Sequence, residues 1–368
     1  MKDSFATIAG LLLALQASLG AAVSVTNSTN AASYGYIVEL DPGSSFRGPL
    51  AGRDDHAEFH RLARDVAAYT VRHEFKNAEF FYGLSIDAKN NSDVAALKDL
   101  PGVKAVYPNK FHARPGPVEV SGSAASVAHI KGSSDVLSSL KMTGVDAVHE
   151  LGLKGKGVKI GILDTGVDYY HPALGGGFGE GFKIAGGYDL VGDDYTGANL
   201  PVPDSDPLAS CLSGGHGTHV AGIIGAQDPD GVGFGITGVA PEATLYMYRV
   251  LGCNGGVTDD VMMQGFQRAA EDGVDLISMS IGGAYIWTSG SPWIPLLDAI
   301  QKRGIGMVIA AGNDGQYGLY ATSSPSYVPA AISVGSVGNT KFATLYNAAD
   351  SAGNTIEYVR IVPHDPNG

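Results

Sequence analysis

Three short segments of this chain carry side chains suited to acyl-transfer chemistry. Gly161-Ile162-Leu163-Asp164-Thr165-Gly166 ends an apolar run on a carboxylate. Gly215-His216-Gly217-Thr218-His219-Val220-Ala221-Gly222 puts an imidazole at the head of a helical segment, and Ala310-Ala311-Gly312-Asn313-Asp314-Gly315 delivers a primary amide after another apolar run. A buried carboxylate fixes the tautomer of a histidine, the histidine takes a proton from a hydroxyl, and an amide donor stabilises the oxyanion. Asp164, His216 and Asn313 are therefore the candidate catalytic groups. Each has a plainer reading alone. Asp-Thr-Gly after a strand also occurs in aspartic proteases and phosphotransferases, and Asn313 could simply cap a helix. His216 and His219 stand three apart, whereas zinc-protease helices place their histidines four apart around a glutamate, so metal ligation is not expected.

The surrounding pattern says what must position these groups. Val158 to Leu163, Leu245 to Val250, Val274 to Met279 and Met307 to Ala311 read as apolar strands. His219 to Ala226, Thr258 to Ala270 and Pro292 to Lys302 read as helices between them, the second with Thr258-Asp259-Asp260 as its start and Gly273 as its stop. Alternating strands and helices imply an α/β fold, a parallel sheet covered on both faces, with active groups at the carboxyl ends of the strands. Upstream, Tyr36 to Leu40, Phe81 to Ile86 and Val103 to Tyr107 read as strands of a small α+β unit. A helical face of Phe59, Leu62, Val66 and Tyr69 lies between the first two, and a short helix from Ser92 to Leu100, with Ser92 as N-cap, precedes the third. This order fits a split ferredoxin-like sheet. Residues 113–134 are rich in Pro, Gly, Ser and Ala and read as a linker.

The 368 residues carry a formal net charge of −13, with no basic stripe to neutralise phosphates, so nucleic acid is not an expected partner. Lys2, the apolar stretch Phe5 to Leu19 and the small residues Gly20-Ala21-Ala22 read as a signal peptide over residues 1–22, the alternative being a signal anchor. Secretion is thus expected, with no membrane partner after cleavage. Asn27 and Asn90 head glycosylation sequons that matter only on that route. Cys211 and Cys253 are the only cysteines; in an oxidising compartment they are expected to pair, two buried thiols being the alternative.

Taken together and in this order, the three segments resemble the subtilisin-like (subtilase) serine peptidases, whose chain order is Asp, His, oxyanion Asn, then Ser. The likeness runs from Tyr36 to about Val337. It implies a subtilisin-like parallel sheet over residues 135–340, a protein or peptide substrate, His216 as general base and Asn313 as oxyanion donor. Ser280-Ile281-Gly282, followed by Gly283, resembles the strand edge that pairs with substrate backbone, and Leu251-Gly252-Cys253-Asn254-Gly255-Gly256 the opposite wall of the cleft. Residues 36–112 resemble the family's propeptide, an intramolecular inhibitor cut away near residues 112–135. The cysteine positions suggest the secreted branch that carries a protease-associated insert, whose approach would begin at 341–368.

One family element has no match. No Gly-Thr-Ser segment at the head of a buried helix occurs before Gly368; Thr322-Ser323-Ser324-Pro325 is the nearest imitation, and its proline opposes a following helix. Without the nucleophile, residues 1–368 are expected to be inactive, with apolar surface left where later elements belong. A fragment of a secreted endopeptidase is the preferred reading, and a non-catalytic secreted protein that binds a protease or a peptide is the alternative. A nucleotide-binding enzyme built on Gly233-Phe234-Gly235-Ile236-Thr237-Gly238 is disfavoured because no strand precedes it. Gly152-Leu153-Lys154-Gly155-Lys156-Gly157 lacks P-loop spacing and reads as a turn. No cofactor is called for. Calcium would use the acidic run Asp189, Asp193, Asp194, Asp204 and Asp206, but Ala173 stands where the family often has an aspartate, so a solvated loop is the expectation.

Overall fold

The structure, a computed structural model, describes residues 35–43, 54–116, 138–211, 215–227, 236–284, 290–318, 320–338, 341–349, 351 and 355–363. The apolar N-terminal stretch, Asn27 and most of the proline- and glycine-rich segment lie outside these residues. So do Gly233 to Gly235 of the disfavoured dinucleotide pattern.

Residues 35–43 and 54–108 form a four-stranded antiparallel sheet with two helices on one face. β1 (Tyr36–Leu40), β2 (Tyr69–Phe75), β3 (Gly83–Ala88) and β4 (Val103–Pro108) pair in the order β2-β3-β1-β4, with α1 (Asp55–Ala63) and α2 (Asn91–Lys98) as the connections. Period-2 alternation divides the strand side chains between two cores. Val38, Leu84 and Ile86 pack with Phe59 of α1 and Leu97 of α2, whereas Ile37 and Phe75 join the core of the following sheet. Two expectations need correction. The helix stops at Ala63 and Tyr69 opens a strand, so the face that ran from Phe59 to Tyr69 is helix, turn and strand in succession. The second helix begins at Asn91, with Asn90 rather than Ser92 at the N-cap position and no side-chain capping bond.

After β5 (Phe111–Ala113) and two short helices, α3 (Ser138–Met142) and α4 (Val145–Glu150), the second sheet begins. Its strands are β6 (Lys159–Asp164), β7 (Ile184–Asp189), β8 (Thr244–Arg249), β10 (Leu276–Met279), β12 (Gly306–Ala310) and β14 (Ile332–Val334), all parallel, in the order β14-β12-β10-β6-β8-β7. Helix α5 (His216–Gly225) covers one face, packing Val220 and Ala221 on Ile160, Ile162, Leu245 and Met247. Helices α6 (Asp259–Glu271) and α7 (Trp293–Lys302) cover the other, where Leu163, Ile277, Met279 and Ile309 meet Met262, Phe266, Trp293 and Leu297. Three short strands, β9 (Gly256–Thr258), β11 (Gly283–Ala284) and β13 (Ser323–Ser324), lie in the loops at the carboxyl ends of this sheet. β15 (Lys341–Ala349) and β16 (Thr355–Pro363) pair antiparallel.

Two parts of this assembly are open. Thr218, His219, Gly222 and Ile223, on the face of α5 turned from the sheet, line a cavity of about 780 Å³ together with Ala226 just past its end. On the edge strand β14, Ile332 and Val334 are exposed. Among the described residues, no helix is long and apolar enough to cross a membrane.

Candidate active site

Asp164 is the last residue of β6 and His216 the first of α5, so a strand end and a helix start meet at one point. His216 Nδ1 donates to Asp164 Oδ1 at 2.8 Å, and the same oxygen accepts the Thr165 amide at 2.7 Å. Asp164 is fully buried while the His216 side chain keeps 20% of its surface exposed, an arrangement in which the ring is held from inside and reachable from outside. The hydrogen bond to Asp164 raises the His216 pKa above 6.5, against burial and the nearby Arg114 guanidinium, which both lower it. With Nδ1 committed, Nε2 is the nitrogen left to receive a proton. Asp164 Oδ2 is buried with no hydrogen-bond partner among the described residues.

The closeness of strand and helix depends on Gly217. A Cβ there would come within 2.1 Å of the Gly166 carbonyl oxygen and 3.1 Å of Asp164, so any larger residue would push the helix off the aspartate. The Gly217 amide also donates to Thr165 Oγ1 at 3.0 Å. Ala221 and Gly225 lie on the sheet, whereas Gly222 faces the open cavity.

Asn313 follows β12 and is exposed, at the same carboxyl end of the sheet as Asp164. Ser280 to Gly282 link β10 to β11, with Ile281 buried. β11 pairs with β13, whose Ser323 and Ser324 are buried in the turn; Ser326 Oγ donates to the Ser323 carbonyl at 2.7 Å. The Thr322 to Pro325 segment is thus packed beside the Ser280 to Gly282 stretch.

Gly255 and Gly256 meet the chain itself. β5 pairs antiparallel with β9, Ala113 opposite Gly256 and Phe111 opposite Thr258, and the Arg114 amide donates to the Gly255 carbonyl at 3.3 Å. A Cβ on Gly256 would lie 2.2 Å from the His112 carbonyl oxygen, so glycine is what lets this strand in. β5 also lies against β11, and Arg114 lines the cavity that reaches Thr165 and Gly215. Residues 111–114 therefore run between the two segments that resemble cleft walls and end beside the Asp164–His216 pair. Composition alone assigned Ala113 and Arg114 to a linker; the backbone pairing of a three-residue strand leaves no periodic signal.

Cys211 and Cys253 form a disulfide. It ties the segment before His216 to the wall at residues 251–256. Beside it, Arg249 reaches Asp189 at 3.0 Å and Asp193 at 2.7 Å. The acidic run is therefore not merely a solvated loop. Asp189 is buried, its pKa raised by burial, and exists to hold Arg249; Asp193 is pulled below the ordinary range by its bond to Arg249. The sequence could not show this because the partners lie about 60 residues apart. Among the described residues, the one group of three possible metal-ligating side chains is Asp193 with Cys211 and Cys253, and those sulfurs are spent on each other. Asn90 is exposed and accessible to modification.

A six-stranded parallel sheet, helices on both faces and a buried carboxylate paired with a half-buried imidazole at its carboxyl end define an α/β protein of the doubly wound class with a dyad fit for proton transfer. The sequence profile of the subtilase family matches residues 155–363. The chain belongs to the subtilase family. It is 34% identical over 309 residues to the minor extracellular protease Vpr of Bacillus subtilis, which covers 81% of this chain and 36% of that protein. It is 38% identical over 212 residues to the major intracellular serine protease of the same organism, covering 56% of this chain and 59% of the relative. The chain thus spans less than two thirds of the length of these curated relatives. In fold it is similar to the epidermin leader peptide processing serine protease of Staphylococcus aureus, with a TM-score of 0.54 at 20% identity over 82% of this chain and 68% of that one.

Proposed function

We propose that this chain belongs to a secreted serine endopeptidase of subtilisin type that hydrolyses peptide bonds by an Asp/His/Ser mechanism. The observation that carries this reading is the hydrogen bond from His216 to the buried Asp164 at the carboxyl end of a parallel sheet, beside a cleft already filled by an extended strand. In the reaction Asp164 keeps the Nδ1 proton in place, and His216 Nε2 takes the proton of a serine hydroxyl as it attacks the scissile carbonyl. His216 then returns that proton to the leaving amine. Asn313 donates to the oxyanion, while Ser280 to Gly282 and Gly255-Gly256 pair with substrate backbone. The nucleophile is carried on a segment that seats on the exposed face of α5; the cavity along Thr218, Gly222 and Ile223 supports this placement.

Residues 36–112 act as a ferredoxin-like inhibitory propeptide, a role supported by β5 lying in the cleft as a substrate would. The disulfide supports secretion, since such bonds persist in oxidising compartments; the similarity values do not choose, because one relative is extracellular and the other intracellular. The test is labelling by a fluorophosphonate probe. A protein extended through a downstream Gly-Thr-Ser segment is expected to label and to lose labelling in His216→Ala, whereas residues 1–368 alone are expected not to label. Absence of labelling and of peptide hydrolysis in the extended protein would favour the non-catalytic binder.

A further inference from the structure

β5 shows the side chains that the cleft accepts, and one of them is held in an unusual way. His112 and Asp259 are both buried, at the point where β5 meets the first turn of α6. His112 Nε2 donates to Asp259 Oδ1 at 2.7 Å, and the Trp293 indole N–H donates to the same oxygen at 2.9 Å. The Lys110 amide reaches Asp259 Oδ2 at 3.3 Å, and the Asp259 amide donates back to the Lys110 carbonyl at 2.9 Å. A pocket walled by a buried carboxylate and an indole N–H is built for a side chain that donates a hydrogen bond; an apolar occupant leaves the carboxylate short of a partner it has no water to replace. The neighbouring residues behave differently. The Phe111 ring lies over Gly197 and Gly256, and Arg114 reaches the Gly252 carbonyl near the dyad.

We propose that the pocket formed by Asp259 and Trp293 is a specificity-determining subsite that selects a hydrogen-bond-donating side chain of the imidazole class, two residues before the position Arg114 occupies. The inference rests on the proteolytic reading above, and it makes the propeptide strand a record of substrate preference. Asp259 sets the chemistry of the subsite without touching the reacting atoms.

Two measurements test it separately. Hydrogen exchange on residues 1–368 reads the Arg114 amide, with the amides of β1 and β3 as internal evidence of folding. His112→Leu is expected to speed exchange at Arg114 at least tenfold and His112→Gln much less, and the double variant His112→Leu with Asp259→Leu is expected to regain protection. Unchanged protection in His112→Leu, or a double variant no better than the single one, would overturn the proposal. On the serine-bearing protein, peptides with His at that position are expected to exceed those with Leu at least tenfold in kcat/KM, and Asp259→Leu to reverse the order; equal rates would also overturn it. If no peptide is cleaved, the proteolytic reading fails and exchange alone decides on the pocket.

Discussion

His216 holds its proton more firmly than an ordinary histidine because Asp164 accepts from Nδ1. A folded-state pKa raised above the unfolded value stabilises the fold most at low pH: the contribution is complete below about 6.5 and disappears as pH rises through the raised value. In Asp164→Asn only burial and Arg114 remain, so the His216 midpoint, followed by NMR, should fall below that of an ordinary histidine. Turnover in the serine-bearing protein should fall by about 10⁴-fold. Asn313→Ala should lower kcat by roughly 10²–10³ with little change in KM. A kcat near the parent value would remove Asn313 from the oxyanion role. Gly217→Ala should cost about 1–3 kcal/mol in urea unfolding, because its new methyl meets a backbone carbonyl that cannot move aside. The types and order of Asp164, His216 and Asn313 were legible in sequence. The partner of Asp259 was not, since His112 precedes it by 147 residues and only folding brings the two together.

At the scale of elements, the antiparallel sheet docks on α6 through a buried ion pair, Arg72 of β2 with Asp260 at 3.0 Å. Burial pushes the Asp260 carboxyl up, but Arg72, Thr258 and Asn109 together hold it below the ordinary range. Removing one member strands the other charge away from water, so Arg72→Ala should cost about 3–5 kcal/mol. Adding Asp260→Ala to that variant should cost much less than a second such sum, which a double-mutant cycle would measure. The strands that sequence missed explain themselves. β2 was hidden because Tyr69 continued the spacing of Phe59 and Val66. β7 reads Ile-Ala-Gly-Gly-Tyr-Asp and lacks both alternation and a continuous apolar run. The apolar strands β6, β8, β10 and β12 were found to within two residues because strands covered on both faces of a parallel sheet leave a dense apolar signal.

Across the whole molecule, the disulfide spans 42 residues and fastens Cys211, upstream of His216, to Cys253, just after β8. Closing a loop of that size restricts the unfolded chain, so Cys211→Ser with Cys253→Ser should lower stability by about 2–4 kcal/mol in unfolding experiments. The subtilase architecture was legible because strand–helix alternation and motif order are both written locally. The docking of the first sheet on the second was not, because it depends on Ile37, Phe75, Arg72 and His112 meeting partners far along the chain.

The strand at Phe111–Ala113 occupies its cleft as part of the same molecule, so its occupancy does not depend on concentration. A covalently attached ligand experiences a local concentration that reaches millimolar order, and a free peptide of equal intrinsic affinity must exceed it to displace the strand. Cutting the chain anywhere within residues 117–137 turns the same contacts into an ordinary two-body equilibrium, in which dilution alone empties the cleft. One backbone cleavage thus converts a self-filled groove into one whose filling is set by the surrounding solution.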